Sequence, residues 1–532
     1  MSSDVWLTRC HFDHLPIFKS AEFSSIGLDD SFLPGLDAGR LSVRGSVLLR
    51  NADVNGELSF MNASLGVDLN CTGAKITSNG NGYALLADGL EVKGGVFLDK
   101  TCVTGEIRLV DARMGWGLNC VAADLKPGES GYSLNAERIT VNGGVFLERV
   151  SSKGELRLLD ASIGGNLICS KASVSAIDGG MSLNASSVSV GGSVIFDSFQ
   201  SEGEIEFCHA RVGKSLVLGN ARLRPGKSGF ALSLLHVECA GSLVVGESAA
   251  IDGFLDLSAS RFYGIHDTSC GWPGPGKLML DRCEYGSFLS SSPASAAARL
   301  KWLALQDSYF PEGDFRPQPY EQCAKVLREM GHGADARAIL IEKERRQRAA
   351  RRLRLRKVRR HHVALWLGFW DVVLAGTVRY GRQPFLAFAW LFGLWALGVV
   401  VFQQAAERDA IKPNNAFVLR SAEWAACHPG YTNQGTDPKL APRNSGTTQL
   451  ACFLQQPEAQ SYPRFNPWVY SADTLLPIVD LEMQGFWIPD ETASALGRGA
   501  RYFLWAQIAL GWALSLLAVA GFSGLVKTDS TT

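Results

Sequence analysis

Four groups of residues in this chain have types and spacings that chemistry could use. Cys71, Cys120 and Cys169 recur at one fixed step, and so do Glu57, Glu106, Glu155 and Glu204. Cysteine sulfurs bind zinc when they converge on a tetrahedron. Carboxylates act as general acids or bases when they sit close enough to share a proton. His266, Asp267, Cys270 and Asp281 crowd a Gly/Pro-rich stretch, and Cys427 and Cys452 form a loosely spaced pair toward the carboxy end.

The step itself argues against most of these chemistries. It is a 49-residue interval, shared by Gly45, Gly94, Gly143, Gly192 and Gly241 and by Ala63, Ala112, Ala161, Ala210 and Ala259. Such self-similarity marks a stacked solenoid, whose columns are strung along a rod instead of gathered at a point. The three cysteines are then expected to be small buried hydrophobes, and no CxxC pair offers a metal site. A frame of two coils puts successive glutamates about 10 Å apart, too far for a shared proton. Arg108 and Arg157, two residues beyond Glu106 and Glu155, make the row a solvated, locally paired surface, with a ligand-binding face as its alternative.

Within each frame the apolar residues alternate, as in Leu58 and Phe60, Ile107 and Leu109, Leu156 and Leu158, and Ile205 and Phe207. That is strand periodicity with one side facing a core. Glycines before the bursts, such as Gly56, Gly66 and Gly82, are expected to turn corners. Four bursts per frame predict two coils of about 24 to 25 residues, and five frames predict about ten coils over roughly 48 Å. The expected organisation is an amino-terminal cap (1–40), a β-solenoid with 49-residue repeats (41–290) and a helical connector (291–362). Lys126 to Ser130 and Arg224 to Ser228 carry Pro-Gly turn signals. After Pro319 the period becomes helical: Cys323, Val326, Leu327 and Met330, then Ala334, Ala338 and Ile341, read as a hairpin.

Charge is balanced overall, 52 basic against 52 acidic residues, but Lys343 to Arg360 holds eleven basic residues and one acid, Glu344. An apolar segment follows at once, so anionic lipid headgroups are the expected partner of Arg351, Arg352, Arg354, Arg356, Arg359 and Arg360, and nucleic acid is not. Residues 384–402 and 502–526 are uncharged and long enough to span a bilayer. Residues 363–383 include a shorter apolar run carrying Asp371, read as interfacial or re-entrant. Residues 403–500 would lie outside the cytoplasm, where Cys427 and Cys452 could pair, and 527–532 would form a cytoplasmic tail. Met1 to Ser20 lacks the apolar core of a secretory signal, so the solenoid is expected on the cytoplasmic side. Thr377 to Gly381 has the look of a potassium-filter sequence, but Arg379 replaces its central glycine and would repel a cation.

The fold class is therefore mainly β, a β-solenoid followed by a helical hairpin and a two-span α-helical membrane region. The spacing at Ala63-Ser64-Leu65, Ala74-Lys75-Ile76 and Ala161-Ser162-Ile163 resembles the pentapeptide-repeat β-helix family, with units nearer ten or eleven residues than five. That resemblance implies a bacterial membrane-anchored repeat protein, whose relatives often end like Tyr470 to Leu481, and it implies no catalytic residues. With no nucleophile–base pair and no nucleotide fingerprint, the expectation is a non-enzymatic scaffold without cofactor or metal. It would present an interaction surface to an unidentified protein partner at the bacterial inner membrane, and it could form a homo-oligomer. The alternatives are an enzyme with a site around His266, Asp267, Cys270 and Asp281, or a channel or transporter subunit. The last is disfavoured because neither span holds a charge.

Overall fold

The computed structural model describes residues 3–79, 82–268, 270–289, 291–306, 315–358, 360–380, 383, 385–428, 430 and 446–523. The chain forms two compact units, Met1–Arg354 and Leu355–Thr532.

The first unit is a parallel β-solenoid of about 12 turns. Each coil has four short strands, hereafter faces 1 to 4, exemplified by Ser42–Val43, Val47–Leu48, Asp53–Asn55 and Leu58–Ser59. Backbone amides of one coil donate to carbonyls of the next, as from Leu49 to Asn70 (2.7 Å) and Cys71 to Phe97 (2.8 Å). The stack thereby satisfies polar groups that an isolated coil would leave open. Inward side chains are aliphatic or aromatic, and Leu58, Phe60, Ile107, Leu109, Leu156, Leu158, Ile205 and Phe207 are all buried, as their alternation predicts.

The two coils of a frame are unequal. Val47 pairs with Leu69 and Leu69 with Val96, a short step of 22 residues followed by a long step of 27. Val96 to Leu118 and Leu118 to Val145 repeat the alternation. The extra residues of the long coil sit between faces 3 and 4, as a loop such as Pro127–Gly131 and a bulge between Tyr132 and Leu134. Loops of successive long coils meet across the short coil between them, where the Lys227 amide donates to the Gly179 carbonyl at 2.7 Å. The turn signals in 126–130 and 224–228 belong to these surface loops.

Glycine does more than the corner-turning its columns predict: Gly82 (φ 74°) and Gly105 (φ 125°) do turn the chain with positive φ, but other glycines serve close approach. Two corners of each coil are left-handed, yet mostly non-glycine residues hold them, including Asn51 (φ 53°), Asn62 (51°), Lys100 (55°) and Asp111 (58°). Gly66 and Gly143, at neighbouring positions of the corner between faces 1 and 2, need glycine for closeness, because a Cβ would lie 1.9 Å from the Arg44 carbonyl oxygen at the first and 1.7 Å from that of Trp116 at the second.

Residues 1–40 do not form a separate cap. Val5 already pairs with Ile26, and Ile26 with Val47, so the rod begins near its first described residues. Each of these coils advances 21 residues, as the bonds from the Cys10 amide to Ser31 and from the Arg50 amide to Asp29 show. They carry no face 3–4 loop of the repeated kind, which is why the 49-residue frame does not reveal them. The other end is closed by helices α1 (Ala296–Leu303), α2 (Gln318–Glu329) and α3 (Gly333–Lys357). On α2, Gln322 donates its amide to the Tyr285 carbonyl (2.6 Å) and Gln318 accepts from the Arg282 amide (2.8 Å), supplying an edge strand with the bonds another coil would make. The α2–α3 pair is the expected hairpin, but α3 buries Ala336, Ile339 and Leu340 in place of Ala334, Ala338 and Ile341. The Gly331–His332 turn sets the helical phase, and the spacing of alanines alone could not.

The second unit contains α4 (His361–Thr377), α5 (Phe385–Glu407), α6 (Ala416–Leu419), α7 (Ala422–Ala426), α8 (Gln449–Phe453), α9 (Pro467–Leu475), α10 (Met483–Phe486) and α11 (Ala495–Phe522). Phe385–Glu407 and Ala495–Ala520 are long and apolar enough to cross a membrane. Between them, Ile411–Pro413 pairs antiparallel with Trp487–Pro489, and Cys427 is bonded to Cys452. Residues 403–500 do not all lie clear of the spans, because α9 runs back alongside α5 and α11.

Candidate functional site

The solenoid's four faces differ in what they turn outward. Face 1 presents Ser64, Glu91, Arg113, Thr140, Ser162 and Ser189, all exposed. Faces 3 and 4 present residues such as Lys75, Asp124, Arg222, Arg108, Arg157 and Glu206. Face 2 instead registers Phe97 beside Asn119, then Phe146, Ile168, Ile195, Val217 and Val244. Their flanking residues point inward, as Val96 and Leu98 do beside Phe97, so this column stands on the outside and is half-buried only by its neighbours. Trp116, 51% exposed, stacks between Phe97 and Phe146 with ring centroids 5.6 and 6.0 Å away. From Phe146 to Val244 the column is an unbroken apolar strip, and Trp116 bridges the Asn119 step to Phe97; apolar surface gathered on one face is the kind that marks an interaction site.

This strip is a candidate interaction surface that sequence reasoning missed. Its signal was available, since Leu48, Phe97, Phe146, Ile195 and Val244 share the 49-residue step. Each lies inside a run of three apolar residues, and such a run hides which member faces out.

The expected reactive groups are placed as follows. Cys71, Cys120 and Cys169 are fully enclosed in the core. Burial pushes the Cys71 thiol up to about 12 and raises the other two as well, which keeps them protonated and unreactive near neutral pH. The glutamate row is not uniformly solvated: Glu106 is buried, because the loop of the following long coil folds over it. Ser130 of that loop donates to Glu106 Oε2 (2.5 Å), Ser228 does the same to Glu204 (2.6 Å), and Arg108 and Arg157 pair with Glu106 and Glu155 at 3.8 and 3.5 Å. Glu106 and Glu204 thereby fasten the loops of the following long coils to their short coils.

At the carboxy-terminal end of the rod, Asp267 is buried and receives both Arg299 Nη atoms, at 2.9 and 2.8 Å, and Trp272 Nε1 at 2.9 Å. The Arg299 guanidinium lies 3.5 Å from the Phe288 ring centroid. Asp281 pairs with Arg316 at 2.6 Å, His266 is half-buried and Cys270 exposed. Asp267 thus has its carboxylate committed to joining α1 to the last coils. Among the described residues no three His, Cys, Asp or Glu side chains are grouped to hold a metal ion.

In the basic run, Lys343 is buried against Glu321 (3.0 Å) and Glu344 (3.5 Å), and Glu342 meets Arg345 (3.5 Å) and Arg346 (2.9 Å). Arg351, Arg354, Arg356 and Arg360 are exposed and Arg352 is half-buried; Arg359 lies outside the described residues. The Arg379 segment is a turn after α4, with Arg379 and Tyr380 in left-handed conformations.

In the second unit, polar side chains cluster between apolar helices. Ser471 donates to the Trp395 carbonyl (2.8 Å), and Gln507 Nε2 donates to the Ser471 carbonyl (3.1 Å) and hydroxyl (3.0 Å). Asp473 accepts the Leu481 and Gln484 amides, each at 2.7 Å. No protein-family model, curated protein or solved structure matches the chain.

Proposed function

We propose that this protein is a membrane-tethered scaffold whose solenoid seats a protein partner on face 2. The observation that carries the reading is the outward column Phe97, Phe146, Ile168, Ile195, Val217 and Val244, set on one face while the others are polar. Fully burying an exposed Phe or Ile contributes about 1.5–3 kcal/mol; these side chains are already half-buried, so the column would contribute to binding as a whole and not through one or two members. The resemblance to pentapeptide-repeat proteins supports placing it in the bacterial inner membrane with the solenoid in the cytoplasm. There Arg351, Arg352, Arg354, Arg356 and Arg360 would meet anionic headgroups, each contributing about 1 kcal/mol, and α4 would lie at the interface.

The test compares proteins captured by wild type, by Phe146→Asp with Ile195→Asp, and by Ser162→Asp on face 1, after circular dichroism has shown all three folded. A specific protein retained by wild type and Ser162→Asp and lost by the face 2 variant is the expected result. Equal retention by all three removes face 2 as the interaction surface.

A further inference from the structure

The apolar column on face 2 is graded along the rod. It crosses seven coils, with Phe97 on the first, Ile168 on the fourth and Val244 on the seventh. The amino-terminal part carries the rings of Phe97, Trp116 and Phe146, the middle carries Ile168 and Ile195, and the carboxy-terminal part carries only Val217 and Val244. Sheets stacked face to face stand about 10 Å apart along their length. A sheet packed on this column must therefore be thin where the column is thick and thick where it is thin. The same column run backwards has that profile.

A twofold axis through Ile168, directed along its strand, lays a second copy antiparallel on the first. Phe97 then comes opposite Val244, Phe146 opposite Ile195, and Ile168 opposite its own mate. Trp116, at the corner beside Asn119, comes opposite the exposed Lys214, at the corner beside Val217, and a ring attracts an ammonium group placed over it. Such a contact is isologous and closes at two copies. Parallel rods would instead set Phe on Phe at one end and Val on Val at the other, and the gap at the thin end would forfeit its van der Waals contacts.

The charges along the edge between faces 2 and 3 fit the same arrangement. Lys100, Arg149 and Glu247 are exposed there and enter no ion pair among the described residues. On face 1, by contrast, charges pair between coils, Arg113 with Glu91 and Arg261 with Glu284. Reversal brings Lys100 opposite Glu247, and Arg149 opposite the corner that holds Asp197. It also sets the exposed Lys171 against its mate beside the axis, a like-charge contact that weakens the pair.

The size of the face sets the strength. Seven coils at about 4.8 Å and five residues across at about 3.3 Å give roughly 500 Å² per copy. The total of about 1,000 Å² is the lower end for a specific interface, so the pair is reversible.

We propose that the partner seated on face 2 is a second copy of this chain, reversed about a twofold axis at Ile168. This rests on the reading of face 2 as an interaction surface and names its occupant.

The experiment uses purified full-length protein in detergent, with Cys102→Ser and Cys270→Ser removing the exposed thiols. A short bis-maleimide should join Ile168→Cys to its own mate. Phe97→Cys and Val244→Cys should cross-link when mixed, and neither should do so alone, because reversal sets the two Phe97 positions six coils apart, about 29 Å. In sedimentation, Lys100→Glu should raise the dimer Kd about tenfold, two exposed ion pairs being turned to repulsion, and adding Glu247→Lys should restore it. Lys171→Ser should tighten the pair. Self-cross-linking of Phe97→Cys overturns the antiparallel arrangement, and a dimer that persists in Phe146→Asp with Ile195→Asp puts the contact between copies elsewhere and overturns the proposal. A monomer overturns the second copy as occupant, but leaves face 2 as an interaction surface if that double variant loses a captured protein that Ser162→Asp keeps. A monomer whose captured proteins are the same in both variants overturns both readings.

Discussion

The solenoid and the second unit differ in what they leave exposed and in how they use buried polar side chains. In the solenoid Leu, Ile, Val and Phe fill the interior, and charges such as Arg113 and Glu91 stand outside. In the second unit Phe388, Trp390, Phe392 and Leu516 are exposed, while Ser471, Asp473, Thr474 and Gln507 are buried between helices. The backbone differs too. The rod satisfies its amides between coils, whereas each long helix satisfies them within itself and leaves side-chain hydrogen bonds to join helix to helix. Unpartnered polarity inside the rod would be destabilising, whereas in the second unit partnered polar groups join helix to helix, a difference that the proposed hydrocarbon surround would account for.

The sharpest way to break this contrast is Leu156→Asp. Leu156 is 1% exposed, and an unpaired carboxylate there costs several kcal/mol. The variant should lose protease resistance across its coil and both neighbours, and unchanged resistance would mean the inward face is wrongly assigned.

A smaller effect, from the opposite change in polarity, tests the second unit. Gln507→Leu makes the helix interface more apolar, which would favour a soluble core. Here it removes two hydrogen bonds to Ser471 and should lower stability in detergent by about 1–2 kcal/mol. A stabilised variant would place α9 in a water-facing domain.

The smallest expected effect lies at Glu155, where burial raises the carboxyl above its usual range and outweighs the Arg157 guanidinium. The folded protein then holds this proton more tightly than the unfolded chain. Its contribution to stability grows as pH falls through the folded value and is lost as pH rises. Glu155→Gln should melt slightly above wild type at pH 7, and the difference should vanish in acid. A lower melting temperature at pH 7 would mean that pairing with Arg157 prevails over desolvation.

Much of the rod was legible in the sequence because its columns repeat. Leu58, Ile107, Leu156 and Ile205 could be assigned inward from alternation alone, and the glycine and alanine columns fixed the frame. The division of the frame into a short and a long coil was not legible, because the loop residues Pro127–Gly131 and Pro225–Gly229 are a surface insertion that leaves the 49-residue sum unchanged. Glu106 was misplaced for the same reason: strand alternation marks it as outward, and only the loop of the next coil determines that outward is covered. Of the second unit, the long helices were legible from composition and the pairing of Cys427 with Cys452 was permitted by spacing. The return of α9 alongside α5 and α11 was not. Its signals, Gly398, Ser471 and Gly511, are single small residues whose meaning depends on which helix passes over them.

The unequal coils also fix the increment by which such a rod can grow or shrink. Excising residues 94–142 would rejoin Lys93 to Gly143, leaving every inward column, every loop bridge and every glutamate beneath a loop in its proper order. Removing a single short coil would instead set two loops on adjacent turns with no glutamate between them, crowding a surface built for alternate occupancy. Within the repeated stretch, lengthening by recombination is thus favoured in whole 49-residue steps, and a gene of this kind is expected to vary there between relatives in multiples of 147 base pairs, about 9.6 Å of rod at a time for two strand spacings.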